Sequence, residues 1–374
     1  LIKKKNFNFL KLNFTKLFIF FYFIILISSF LSDNITVSLK SSIFYIRFFL
    51  FALCTYYICE YNNKFVKNFF SFIFLIFIVL IFDSIFQYLI GFNIIGFELF
   101  KQNEFYRSTS FFNTDLKLGS YLARLSPLFI YSFIFFSKLK NKYIFTFLMV
   151  AFSSSILLTG ERTAIFLFIL SLIFLSIFIK EKFLKSNLIF SIFFLIISSG
   201  LILTFNKNLK ERIINQSTFQ LFKYENKLVP FSYHHQAHYK ASYEIFKDSP
   251  IFGAGPKSYR YESLKEKYLK NNKNAWSTHP HNTYFQLLAE TGLFSFLLII
   301  GLFLFFFINS IFQLFKIKIY FKNDLLVCTV CCFLISLWPI APTGSFFNNW
   351  ISIIYFLPIG FFWYGNQMNN EKII

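Results

Sequence analysis

The residues best suited to acid–base chemistry lie in one polar stretch, from about Phe231 to Gly292, of an otherwise apolar chain. Histidine titrates near neutral pH, so its imidazole can accept a proton from a hydroxyl group that is a poor nucleophile by itself. His281 directly precedes a strongly apolar segment, and we predict that it is a general base at a membrane boundary. The stretch contains all five histidines of the chain: His234, His235, His238, His279 and His281.

Polar residues continue from His281 into the apolar segment that follows. Asn282 favours the position that begins a helix, and Gln286 and Glu290 lie one and two turns further on a similar face. Polar side chains in a row on a membrane helix indicate a polar cavity. We therefore predict that Asn282, Glu290 and the neighbouring His279 contact substrate; the alternative for Glu290 is a structural hydrogen bond.

Arginine is rare in this chain and unevenly placed. If the apolar segments cross the membrane alternately and the lysine clusters between them are cytoplasmic, every arginine lies in an outer loop or in the outer half of a helix. The inner clusters contain only lysine. A guanidinium is planar, stays charged and binds phosphate through two parallel hydrogen bonds, so the asymmetry predicts an outer site for a phosphate-bearing ligand. Arg47 and Arg124 also fit residues that extend to the membrane interface. The six arginines are Arg47, Arg107, Arg124, Arg162, Arg212 and Arg260.

Three of these arginines are candidate phosphate ligands. Arg162 follows a tight turn between two apolar runs, Arg260 follows the glycine-rich turn 250–256, and Arg107 lies in an earlier outer loop. A charge at the membrane surface is costly unless it is paired or hydrated. The alternatives are that Arg162 pairs with Glu161 and that Arg107 is an ordinary solvated loop residue.

The same stretch contains only partial signals for metal or nucleotide binding. Ser232 can begin a helix that extends to about Lys247, on which His234 and His238 share a face. That face resembles part of a zinc site, but no carboxylate or further histidine at suitable spacing completes it, so we predict no metal and no other cofactor. The run 253–255 is too short for a nucleotide-binding loop, and no strand pattern precedes it.

Composition places the chain among integral membrane proteins. Its 374 residues are 56% hydrophobic and 14% charged, with a mean hydropathy of +0.57, whereas soluble domains contain about 25% charged residues. A net charge of +20 suggests nucleic acid in a soluble protein. Here most lysines lie in short clusters between apolar segments, and no nucleic-acid motif accompanies them, so we predict the lipid bilayer as a partner and no nucleic acid.

Ten apolar segments are each about as long as a membrane-spanning helix, which needs roughly 20 residues. Lysine clusters after the second, fourth, sixth and eighth segments fall on one side if the spans alternate, and the positive-inside rule makes that side the cytoplasm. The predicted spans are 14–32, 43–59, 68–90, 119–137, 143–159, 163–179, 187–205, 284–309, 324–340 and 350–364.

This topology predicts an all-α polytopic membrane protein in three parts. Residues 1–205 are N-terminal transmembrane helices, 206–283 form one large external loop, and 284–374 are C-terminal transmembrane helices. The loop is predicted to be partly helical, with a second helix over about 257–270 that carries Arg260 in its first turns.

Three motifs together resemble the O-antigen ligase and O-antigen polymerase family. Members are polytopic inner-membrane glycosyltransferases with up to twelve transmembrane helices and one large periplasmic loop. The resemblance covers roughly residues 100–365 and is specific in the loop. The motifs are Thr159–Ala164, Phe252–Arg260 and His279–Tyr284 with Glu290–Gly292.

Two positions depart from the family pattern. The histidine motif of the family ends in Gly, Thr or Tyr three residues after a glycine, whereas here Gly292 is followed by Ser295. The first-loop segment Arg107–Gly119 is similar to a family segment but has Ser110 in place of a glycine. The first 100 residues are only weakly similar.

The resemblance implies a glycosyltransferase at the periplasmic face of the inner membrane. The donor would be a glycan on undecaprenyl pyrophosphate, and the acceptor a sugar hydroxyl on lipid A–core or on another glycan. His281 would be the catalytic base, with Arg162, Arg260 and then Arg107 on the pyrophosphate, in a metal-independent, inverting reaction. We expect these groups to converge at the outer leaflet.

Three other functions also fit the sequence, and one of them, a membrane scaffold or sensor, would not need the uneven placement of arginine. A repeat-unit polymerase of the same family would use the same donor and a different acceptor. A transporter or lipid flippase is an alternative of another class, but transporters commonly have two related halves with polar groups near mid-membrane. This sequence shows no internal repeat, and its polar groups cluster at one face.

Overall fold

The computed structural model describes residues 13–102, 104–136, 140–220, 231–270, 272 and 274–368. Helices dominate these residues, which confirms the all-α prediction. The α-helices are α1 Asn13–Phe30, α2 Ile35–Ile43, α3 Ile46–Tyr61, α4 Asn63–Ile90, α5 Leu118–Ser132, α6 Lys142–Leu158, α7 Arg162–Phe178, α8 Lys182–Phe205, α9 Lys207–Lys210, α10 Gln216–Thr218, α11 Tyr233–Asp248, α12 Tyr259–Glu262, α13 Glu266–Leu269, α14 Thr283–Leu314, α15 Asp324–Ser336 and α16 Asn349–Gln367.

The helices confirm a polytopic membrane protein. Among the described residues, six helical segments are long and apolar enough to cross a membrane. The apolar helices α6, α7 and α15 are shorter. Together with α16 and the six long segments, they give a helix at each of the ten predicted span positions. The six segments are Asn13–Phe30, Ile35–Tyr61, Lys64–Ile90, Leu118–Phe135, Lys182–Phe205 and Thr283–Leu314.

Two local predictions need correction. Strands β1 Phe100–Gln102 and β2 Phe105–Arg107 pair antiparallel in the first long loop, where no strand was predicted. The helix predicted over 257–270 is two four-residue helices, α12 and α13. By contrast, α11 begins where predicted, because the Ser232 side chain accepts a hydrogen bond from the His235 N–H.

Tertiary contacts group the chain into two units. Unit 1 comprises Leu1–Tyr57, Phe231–Ser310 and Leu337–Gly360, within the described part of the chain. Unit 2 comprises Ile58–Pro230, Ile311–Ser336 and Phe361–Ile374, within the same limits. The segments 1–205, 206–283 and 284–374 predicted from the sequence divide the chain by membrane topology and not by tertiary contacts. That division stays a prediction.

Unit 2 is a helical bundle organised around α5. This helix packs against α4, α7 and α15, and α6 packs against α4 and α8. Arg124 on α5 is fully buried, and its guanidinium donates hydrogen bonds to the carbonyls of Ile335 and Ser336 at the end of α15. A cation at the C-terminus of a helix interacts favourably with the helix dipole, so Arg124 has a structural role.

Unit 1 holds its polar turn against α1 and α2 through buried serine hydroxyls. Ser32 Oγ donates to the carbonyl of Ala254 at 2.7 Å, and Ser32 and Ser38 each lie 3.0 Å from Ser258 Oγ. A β-carbon at Gly255 would be 2.4 Å from Ser32 Oγ, and the φ of this residue is +103°. Glycine is therefore required here for the turn to approach the serines.

Candidate functional site

In unit 1 the site is built on a break in α14. Gly292 has φ 72° and ψ −166°, so the helix predicted to continue from Glu290 into the membrane is interrupted there. The Gly255 N–H donates to the Glu290 carbonyl at 2.7 Å, and the Leu293 N–H donates to the Pro250 carbonyl at 2.9 Å. The glycine-rich turn thus satisfies backbone groups that the break releases.

Glycines on both sides allow this backbone-to-backbone contact. A β-carbon at Gly253 would lie 2.4 Å from the carbonyl carbon of Glu290, and one at Gly292 would lie 2.2 Å from the carbonyl oxygen of Ile251. Both glycines also have positive φ. A side chain at either position would therefore separate the turn from α14.

Glu290 ties the turn to α14 and to the loop before α16. Its fully buried carboxylate accepts hydrogen bonds from the Tyr259 N–H at 3.1 Å and from Gln286 Nε2 at 2.8 Å. Gln286 in turn accepts from the Phe346 N–H at 2.8 Å. These contacts favour the structural alternative for Glu290, and its predicted contact with substrate stays a prediction.

Asn282 fixes the backbone beside His281. Its buried side chain accepts from the Tyr284 N–H at 2.9 Å, as predicted for a residue that begins a helix, and donates to the Pro339 carbonyl at 2.7 Å. His281 has a φ of +60°, a conformation that non-glycine residues rarely adopt. Its carbonyl accepts from the Thr343 N–H at 2.9 Å, so bonds on both sides hold this backbone, as at many functional sites.

The His281 ring lies among three other imidazoles. Its centroid is 4.1 Å from that of His279, 5.5 Å from that of His238 and 5.5 Å from that of His235. The His281 Nε2 atom is also 3.3 Å from Ser277 Oγ. We call His235, His238, His279 and His281 the imidazole cluster.

Burial favours the neutral form of three imidazoles in the cluster. Burial, reinforced by the neighbouring His281, lowers the pKa of His279 to about 3 and that of His238 to about 4. Burial also lowers the pKa of His281. A neutral imidazole at neutral pH has a lone pair that can accept a proton, so the arrangement suits a base.

One arginine lies near the imidazole cluster, and further cations lie near that arginine. Arg260 is half-buried on α12 and electrostatically disfavours the protonated form of His279, contributing to its low pKa. Burial lowers the pKa of Lys257, and the charges of Arg260 and Arg47 lower it further. The Arg260 Nε atom is buried and has no hydrogen-bond partner among the described residues.

In unit 2 a second constellation surrounds the predicted Thr159–Arg162 turn. Arg107 is buried, and it donates to the Thr159 carbonyl at 2.7 Å and to Gln102 Oε1 at 2.7 Å. Arg212 donates from Nε to the carbonyl of Gly160 at 2.8 Å. Burial and the nearby Arg212 charge lower the pKa of Arg107 to about 10, which leaves it protonated at neutral pH.

Glu161 does not form the ion pair with Arg162 that was the alternative to anion binding. Its carboxylate accepts from the backbone N–H groups of Gly119 and Ser120 at the start of α5, at 3.2 and 3.0 Å. Burial raises the pKa of Glu161 to about 7, against the opposing effect of Arg107. Arg162 instead donates to neutral side chains, those of Ser217 and Gln220. We call Arg107, Arg162 and Arg212 the arginine cluster.

The structure thus groups the predicted site residues within each unit. Arg260, His279, His281, Asn282 and Glu290 belong to unit 1, and the predicted Arg107 and Arg162 belong to unit 2. The joint action of Arg162 and His281 on one donor stays a prediction.

Sequence patterns carry only a partial signal for the functional residues that were not predicted. His235 and His238 are three apart on a helix whose start Ser232 predicts, but their contact with His281 depends on tertiary structure. Arg212 was counted among the outer arginines without a site. Among the described residues, no group of three or more His, Cys, Asp or Glu has the arrangement of a metal site, and metal independence stays a prediction.

Comparison with protein-family models relates part of this chain to a known family. Residues 145–300 match the family model described as O-antigen ligase. The matched region contains Arg162, Arg260 and His281, and it is shorter than the resemblance expected from the motifs, which covered roughly 100–365. A search of curated proteins finds no match to the chain.

Proposed function

We propose that this chain, whose residues 145–300 match the O-antigen ligase family model, transfers a glycan from undecaprenyl pyrophosphate to a sugar hydroxyl, as in O-antigen ligation to lipid A–core. The chain is a multi-pass membrane protein with family-type glycosyltransferase motifs, and we assign its activity to the periplasmic face of the bacterial inner membrane. The main support for this proposal is that the matched region contains the candidate base His281 and two candidate phosphate ligands, Arg162 and Arg260. Repeat-unit polymerisation, with a glycan acceptor, is the second candidate.

His281 is the base in this proposal. The acceptor hydroxyl loses its proton to the imidazole while its oxygen attacks the anomeric carbon of the donor. The bond between that carbon and the diphosphate oxygen breaks, and its electron pair leaves with undecaprenyl pyrophosphate. A single displacement of this kind inverts the anomeric carbon. The low pKa of His281 supports the assignment, since the ring is neutral before it accepts the proton.

The arginines bind the leaving group. Negative charge grows on the diphosphate as the glycosidic bond breaks, and guanidinium donors placed there stabilise the transition state by about 3 kcal/mol each. We assign Arg162 and Arg260 to this role, with Arg107 beside Arg162. The hydrogen-bond partners of Arg162, Ser217 and Gln220, are neutral and do not balance its positive charge. This observation supports anion binding by Arg162.

Complementation of two bacterial strains tests the proposal. One strain lacks its lipid A–core ligase and the other its repeat-unit polymerase, and surface glycan is separated on a gel. Ligation predicts glycan attached to core in the first strain only, whereas polymerisation predicts long chains in the second only. Glycan in neither strain, with the protein present in the membrane, contradicts both. Movement of lipid-linked glycan across protein-containing vesicles, without transfer, favours the flippase.

A further inference from the structure

Arg212 lies in an irregular helical segment that no motif assigned to a site. It belongs to the π-helical turn Glu211–Asn215, between the short helices α9 and α10. Turns of this kind are rare and frequently occur at functional sites. The Arg212 side chain turns towards the Thr159–Arg162 turn and stacks its guanidinium 5.6 Å from the ring centroid of Phe105.

Gly160 brings two guanidinium groups to one point. It has a φ of +61°, and a β-carbon built on it would lie 3.0 Å from Arg212 Nε and 3.7 Å from Arg107 Nε. The charges of Arg212 and Arg107 disfavour each other, and Arg162 also opposes the charge of Arg212. Like charges held this close cost free energy unless an anion compensates them.

Protein carboxylates compensate this charge poorly. None of the ion pairs between described residues includes Arg107, Arg162 or Arg212. Glu161 is the carboxyl group that favours the charged forms of Arg107 and Arg212. It accepts hydrogen bonds from backbone N–H groups of α5, and burial raises its pKa to about 7. Arg107 and Arg212 therefore interact with one carboxyl group that is only partly ionised at neutral pH, and Arg162 gains no charge compensation from it.

We propose that Arg212 completes a diphosphate-binding site with Arg107 and Arg162, which identifies the leaving-group site of the proposed transferase and rests on that function. The Nε atom of Arg212 bonds to Gly160, so the site uses its two Nη groups. A diphosphate diester carries about two negative charges, and a third develops on departure, which matches three guanidinium groups. A monophosphate engages fewer of them.

Calorimetric titration of the full chain in detergent micelles tests the site. The probes are inorganic pyrophosphate, inorganic phosphate and undecaprenyl pyrophosphate. We expect wild-type protein to bind pyrophosphate at least about ten-fold more tightly than phosphate, because more paired hydrogen bonds form. Binding of either diphosphate supports the site, and binding of neither overturns it.

Matched variants assign the binding to Arg212. Arg212→Gln removes the charge and should weaken pyrophosphate binding by at least about ten-fold, and Arg212→Lys should weaken it by about five-fold because a lysine lacks the planar fork. Lys210→Gln removes a charge from the same segment at an exposed position and should change binding by less than about two-fold. Wild-type affinity in both folded Arg212 variants overturns the proposal.

These results separate the site from the proposed function. If wild-type protein transfers glycan but the Arg212 variants transfer and bind pyrophosphate normally, the transferase stands and the site fails. If pyrophosphate binding depends on Arg212 while no glycan is transferred, the site stands and the transferase fails. Unchanged melting temperatures show that each variant is folded.

Discussion

Burial lowers the pKa of groups in both the arginine cluster and the imidazole cluster, but it leaves them in opposite charge states at neutral pH. Burial lowers the pKa of Arg107, but only to about 10, so the guanidinium remains a cation. The same effect lowers the pKa of His279 to about 3 and that of His238 to about 4, so these rings are neutral. The comparison shows that residue type decides whether a buried basic group becomes a fixed charge or a proton acceptor.

The largest expected effect separates proton transfer from anion binding. His281→Ala should lower glycan transfer at least about 100-fold, because general base catalysis commonly contributes that much. Pyrophosphate affinity of the same variant should remain unchanged, as His281 is outside the arginine cluster. Transfer is measured with purified protein and lipid-linked donor, and affinity by calorimetry.

His234→Ala is the matched control for this loss. His234 is exposed on the same helix as His238, so its removal deletes an imidazole without opening the cluster. Transfer by His234→Ala should stay close to wild type. Equal losses in both variants, or wild-type transfer by His281→Ala, would show that His281 is not the base.

The second expected effect disrupts the arginine cluster while leaving its charges in place. Gly160→Ala puts a methyl group 2.9 Å from Arg212 Cδ, at a φ of +61° that alanine adopts poorly. Displaced guanidinium groups should reduce kcat/KM for the donor by about ten-fold or more, since small misplacements are costly. Kinetics at varied donor concentration measure this change.

Gly200→Ala is the control because a β-carbon there meets nothing within 4 Å. That glycine lies inside α8, where alanine is tolerated and favours the helix. Its kinetics should match wild type. A normal donor kcat/KM in Gly160→Ala would separate the arginine cluster from catalysis.

The helices were largely predictable because their signal is local. Each transmembrane segment is an apolar run of sufficient length, and the Ser232 and Asn282 caps act within three residues. The break at Gly292 was not predicted because it depends on bonds from a distant turn, including that between Leu293 and Pro250. A glycine in an apolar run is consistent with either outcome.

The candidate site was predictable in part for the same reason. His281 and Arg162 stand out by residue type and position next to apolar runs. The role inferred for Arg212 depends on the carbonyl of Gly160, which is 52 residues away in sequence. His235 likewise meets His281 only through tertiary packing. Sequence patterns identify chemical groups more readily than the neighbours that tune them.

The third expected effect is on pH dependence. The pKa of His281 is lowered from 6.5 by burial, so the base is already deprotonated at neutral pH. With saturating donor, kcat should be constant from about pH 7 to 9 and should fall as acidification protonates the imidazole. Glu161 has a pKa of about 7 and lies near the arginines, so its titration can change donor binding. Saturation with donor limits the contribution of that change to the pH profile of kcat.

The pH profile also sharpens the difference between the clusters. Pyrophosphate affinity should not follow the titration of His281, because guanidinium groups keep their charge over this range. A kcat that still rises between about pH 7 and 9 would require a base with a higher pKa. It would therefore contradict the assignment of the buried His281.

The smallest expected effect is that of metal removal. Many reactions at a diphosphate use a divalent cation to balance the leaving charge. In our proposal the arginines supply the balancing positive charge, and His281 acts on the acceptor. Transfer by purified protein should therefore change by less than about two-fold after treatment with EDTA, measured against untreated protein at the same ionic strength. If EDTA abolishes transfer and added Mg²⁺ or Mn²⁺ restores it, the arginines are insufficient and a metal joins them at the diphosphate.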